Sequence, residues 1–195
     1  MEIKIQGLSE IFEIIGSLYK GVKAAAEIPE TAQKEMNEAL ADTAELIDET
    51  LTILKQHLSS VIAELKFGDE DKARMMILNL ANFQEWEQKY RRFELCDTLR
   101  GAAISLEKKG LFKLKNKVSF GDMDKLQQLI WDYIGGEANA ARSVSEMLVY
   151  LAQLSDFDPA KKDAVIASLD KARVEIHSWR EKFMDMEKKI RSAVI

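Results

Sequence analysis

Two histidines, one cysteine and an abundance of carboxylates are the side chains of this sequence that could do chemistry. His57 and His177 have no second ligand at metal-binding spacing. A di-iron helical bundle needs a glutamate and a histidine three residues apart on one helix, whereas Glu175 and His177 are two apart and point in different directions. Asp42, Glu45 and Glu49 fall on one helical face with Glu38 and Asp48 nearby. Such a strip could hold a hard cation if a facing helix completed it, but carboxylates alone carry no ligand spacing, and a solvated acidic face is the preferred reading. Cys96, between Phe93 and Leu99, reads as a small core hydrophobe rather than a reactive thiol. No serine sits in a nucleophile elbow and no glycine-rich phosphate loop follows a strand. Gly135 and Gly136 suit a helix kink instead. No catalytic, cofactor-binding or metal-ligating residue is assigned, and a non-enzymatic protein is favoured.

The strongest departure from average composition is the run KKGLFKLKNK, where Lys108, Lys109, Lys113, Lys115 and Lys117 occur without an acid and Phe112 and Phe120 interleave with them. These seven residues are the candidate contact site. Lysines around aromatic side chains could dock on an anionic membrane, each near-surface lysine contributing about 1 kcal/mol, or bind an acidic partner. The plainer reading is a loop that closes one end of the molecule with its apolar side chains while its lysines stay hydrated.

Long helices must position all of these residues. Met36, Leu40, Ala44, Ile47, Leu51, Leu54, Leu58, Val61 and Leu65 recur in steps of three and four, as do Val165, Leu169, Ala172, Ile176, Trp179, Phe183, Met186 and Ile190. That spacing puts each set on one side of an α-helix and demands a partner for the seam. The expected elements are an amphipathic helix over 8–28, helices over 30–67 and 69–109, a basic and apolar loop over 110–121, and helices over 122–155 and 158–194. Gly68 stops the second helix, Asp69, Glu70 and Asp71 supply a cap and negative charge for the third, Asp122 caps the fourth, and Asp158 with Pro159 opens the last. Lys188, Lys189 and Arg191 complement the negative end of that helix. Pro29 marks a short corner, with a bend in a continuous helix as the alternative. Short links between long helices make neighbours antiparallel, so the fold class is all-α: an elongated up-and-down bundle of four long helices plus an amino-terminal amphipathic helix, in one domain over 1–195.

Composition narrows the function classes. A chain of 195 residues with 47% hydrophobic residues can bury its own core, and two prolines and nine glycines leave little material for turns. The net charge of −5 disfavours nucleic acid as a partner. A single cysteine suits a reducing compartment, and the amino terminus lacks a secretory signature, so the cytoplasm is expected, with a peripheral membrane position as the alternative. In layout, IGSLYKGVKAAAEIPE followed by a long acidic helix resembles the helical amino-terminal bundles of some cell-death and signalling proteins over about the first quarter of the chain. That resemblance implies a helical fold and no functional residues. The expected function is association with a protein partner or with a second copy. A membrane-binding bundle using the amino-terminal helix and residues 108–120 is the alternative, and a carboxylate metal site or enzyme is the last choice.

Overall fold

The computed structural model describes residues 8–24, 29–76, 125 and 159–193, and these are almost entirely helical, so the protein is all-α. Helix α1 spans Leu8–Ala24 and α2 spans Glu30–Phe67. Residues 70–76 are helical and are called α3, and α4 spans Pro159–Arg191. Ser192 and Ala193 form a turn, so α4 ends before the expected 194. The rest of the third helix, the 110–121 loop, the 122–155 helix apart from Lys125, Cys96, Gly135 and Gly136, and the caps expected at Asp122 and Asp158 lie outside the described residues.

Pro29 gives α2 its start. Its φ of −53° and ψ of 138° are extended, and its carbonyl accepts hydrogen bonds from the amides of Ala32 and Gln33 at 2.9 and 3.0 Å. Proline contributes no amide hydrogen, so the ladder of α1 cannot run on into α2. At the other end, the amide of Gly68 donates to the carbonyl of Glu64 at 3.0 Å. Asp69 Oδ1 accepts from the amides of Asp71 and Lys72 at 2.8 and 3.4 Å, satisfying donors that a helix amino terminus leaves unpaired.

The core is one cluster drawn from α1, α2 and α4, with Ala73 of α3. Every residue of the Met36 to Leu65 stripe is buried, as are Val165, Leu169, Ala172, Ile176, Phe183 and Ile190 of α4, while Trp179 and Met186 are half-buried against them. Polar pairs fix the direction of α4. Arg191 meets Asp42 and Glu45, Arg180 meets Asp48, Lys55 meets His177, and Lys162 meets Glu70. Positions descend on α4 as they ascend on α2, so α4 runs antiparallel to α2, and the pairs on α2 itself span roughly 20 Å of helix at 1.5 Å per residue. Helix α1 has the opposite sense. Phe12 meets Trp179 and Phe183, and Gly16 lies against Met186, so α1 is parallel to α4 and antiparallel to α2. The chain therefore reverses between Ala24 and Glu30, which makes Pro29 part of a corner.

Among the described helices α2 is the most enclosed. Between Ala39 and Leu51 only Asp42, Glu45, Asp48 and Glu49 escape burial. Two threonines, Thr43 and Thr50, are enclosed with the aliphatic residues, and each hydroxyl donates to the carbonyl four residues back, Ala39 at 2.7 Å and Leu46 at 2.8 Å. That bond removes the penalty of burying a hydroxyl. Asn37 is only 6% exposed and its Oδ1 finds no hydrogen-bond donor.

Candidate functional site

The best-defined polar constellation is the acidic strip of α2 where α4 lies beside it. Successive turns of α2 present Asp42, Glu45 and Asp48 towards one flank, because steps of three return to nearly the same side of a helix. The last turn of α4 supplies the counter-charge. Arg191 Nη2 donates to Asp42 Oδ1 at 2.9 Å and to Glu45 Oε2 at 2.7 Å, while its Nε donates to Glu187 Oε1 at 2.6 Å. Three carboxylates thus share one guanidinium, and its pKa is held above the ordinary arginine value, chiefly by Glu187 and then by Asp42 and Glu45. About three helical turns further back on α4, Arg180 Nε donates to Asp48 Oδ1 at 3.0 Å. Arg191, expected only to complement the helix dipole, is the centre of this cluster. Arg180 carries no signal in the sequence, since its partner lies 132 positions away.

Both histidines lie away from that cluster. His177 is exposed on α4, where Lys55 Nζ donates to its Nδ1 at 3.3 Å and its Nε2 lies 3.6 Å from Glu181. His57 is half-buried on α2, and burial pushes its pKa below the ordinary 6.5. Among the described residues no group of three histidine, cysteine or acidic side chains could hold a metal ion, and no helix is long and apolar enough to cross a membrane. The acidic strip expected to face water does so in part, with Glu38 exposed and Asp42 and Glu45 about half exposed, and its Asp42, Glu45 and Asp48 also form interhelical ion pairs.

A second polar feature closes the corner between α2 and α3. Glu64 pairs with Lys72, and Glu64 Oε2 accepts from the amide of Asp69 at 3.3 Å. The Lys72 hydrogen bond holds the Glu64 carboxyl below its ordinary value and raises the Lys72 ammonium above its own. Beside these charges Phe67 is 89% exposed and Met75 56% exposed. Neither stands out in the sequence, because each falls outside the apolar stripes and a single apolar residue off a stripe is ordinary on a helix surface.

The seven candidate contact residues, Lys108, Lys109, Phe112, Lys113, Lys115, Lys117 and Phe120, lie outside the described residues. Helix α1, the other half of the membrane alternative, turns Leu8, Ile11, Ile15, Leu18, Tyr19 and Val22 into the core. The chain was compared with protein-family models, with curated proteins and with solved structures, and none of the three comparisons finds a match.

Proposed function

We propose that this chain is a non-enzymatic helical-bundle protein that works by association, with a second copy of itself or with a larger protein. The observation that carries the reading is Phe67 and Met75, large apolar side chains left in water on the two helices that meet at the α2–α3 corner. Val174 of α4, 65% exposed, adds a smaller apolar position. The antiparallel pairing of α2 with α4 supports the finer architecture, an elongated up-and-down bundle of four long helices with α1 against them. A cytoplasmic setting belongs to the same reading.

Light scattering over a wide concentration range, with capture of partners on the immobilised chain, tests it. Assembly or capture that is lost in a Phe67→Ser, Met75→Ser double variant is the expected result. A chain that stays monomeric and retains no partner overturns the reading, as does an assembly unchanged by the double variant. Docking on an anionic membrane has less support, since the apolar face of α1 is already engaged with α2 and α4.

A further inference from the structure

Helix α1 lies on α2 and α4 by a different kind of contact from the one that joins those two helices. Phe12 stands edge-on to Phe183 and to Trp179, with ring centroids 5.5 and 6.2 Å apart, and Met186 packs over Gly16, where an added Cβ would lie 3.6 Å from its terminal methyl. Among the described residues, the one ion pair of α1 is Glu10 with Lys125 at 2.5 Å, and no ion pair joins α1 to α2 or α4. Polar pairs, by contrast, join α4 to α2 at Arg191, Arg180 and His177. Gly16 and Gly21 lie within α1 and lower its intrinsic helicity. The extended Pro29 uncouples its hydrogen bonds from those of α2, so α1 can leave without unwinding its neighbour.

We propose that α1 is a releasable occupant of an apolar groove on α2 and α4, and that the groove accepts in its place an amphipathic helix from a partner protein. The chemistry of that helix is written in the one now seated there: an aromatic side chain where Phe12 meets Phe183, a small residue where Gly16 meets Met186, and aliphatic residues at the places of Ile11, Ile15 and Leu18. A charged residue at the half-buried Phe12 place is disfavoured, because it loses the edge-on contact with the fully enclosed Phe183. The proposal rests on the association reading but uses a different surface from Phe67 and Met75.

A fluorescein-labelled peptide of residues 8–24 is titrated with the full chain and with its Phe12→Ser variant. Loosening the resident helix raises the fraction of open groove, so the variant should bind the peptide about tenfold more tightly than the unaltered chain. A peptide that itself carries Phe12→Ser should not bind. Equal binding by both proteins, or none by a variant that keeps its helical circular dichroism, overturns the proposal. Because the variant could fail to fold, hydrogen exchange on the unaltered chain supplies a second reading. Amides of α1 should exchange about tenfold or more faster than those of α2 and α4, as a separately opening unit does, and exchange of all three together overturns the proposal. Vesicles of anionic phospholipid form the last arm, and opening of α1 by vesicles with no binding of the peptide gives the groove face to lipid and overturns the protein partner. Size measurements on the Phe67 and Met75 double variant do not involve α1, so failure of this proposal and failure of the association reading are distinguishable.

Discussion

The α2 and α4 pair and the docking of α1 use the same apolar side chains to different effect. Between α2 and α4 an enclosed seam is flanked by Arg180 on Asp48 and Arg191 on Asp42 and Glu45, so a shift of one turn would separate charges as well as knobs from holes. Helix α1 meets the pair with aromatic edges and a glycine, and among the described residues that contact depends on shape alone, the ion pair of Glu10 going to Lys125. Exposed ion pairs add little free energy, so what they supply here is register and direction, while burial supplies the cohesion in both regions. A helix held by shape alone can be replaced by another of similar shape. One held by shape and charge is more selective.

The largest test of this contrast is Phe183→Ala. Phe183 is fully enclosed where α1 crosses α4, and emptying that space should cost about 3–5 kcal/mol in denaturant unfolding. A loss below about 1 kcal/mol would mean that the site collapses around the smaller side chain and that α1 is not seated on it. Arg191→Gln should cost about 1 kcal/mol or less at low salt, since its partners are half exposed, and the loss should fade as ionic strength rises. A salt-independent loss would assign Arg191 a packing role instead. Gly16→Ala should stabilise the protein by up to about 1 kcal/mol, because the new methyl group meets Met186 at ordinary contact distance and alanine favours helix. Destabilisation would show that α1 needs a closer approach than its present seating.

The smallest effect is the pH dependence from His57. Its folded pKa lies below 6.5, so the unfolded chain takes up the proton first as pH falls and stability declines below pH 6.5. Replacing His57 with glutamine should flatten that slope in urea titrations repeated across the mildly acidic range. Glu64 behaves in the same direction further down: with its folded value depressed, the stability it lends the α2–α3 corner is present above the ordinary glutamate value of 4.5 and is lost as pH falls through the folded value. Lys72 contributes in the opposite direction, below 10.5 and lost as pH rises beyond its raised value.

Much of the helical pattern is legible in the amino-acid spacing. Met36 through Leu65 and Val165 through Ile190 follow from it, because an apolar residue every three or four positions leaves a helix no favourable place but a shared interior. The Asp69 cap is legible for a similar reason: a short carboxylate directly after Gly68 can reach amides only two and three residues ahead. The burial of Thr43 and Thr50 is not legible, since a threonine can sit in a core or in water and only the neighbours of α2 decide which. Nor is the fate of the acidic strip, whose partners are nearly 150 residues away in sequence.

Sequence by itself determined that this chain is helical and where α2 must hide its apolar side, because periodicity and punctuation act over a few residues. Tertiary structure alone decided that Thr43 and Thr50 are enclosed and that Arg191, from the far end of the chain, reaches Asp42 and Glu45. Those outcomes depend on which surfaces meet across long sequence separations, and helical spacing is the same whichever neighbour a helix finds.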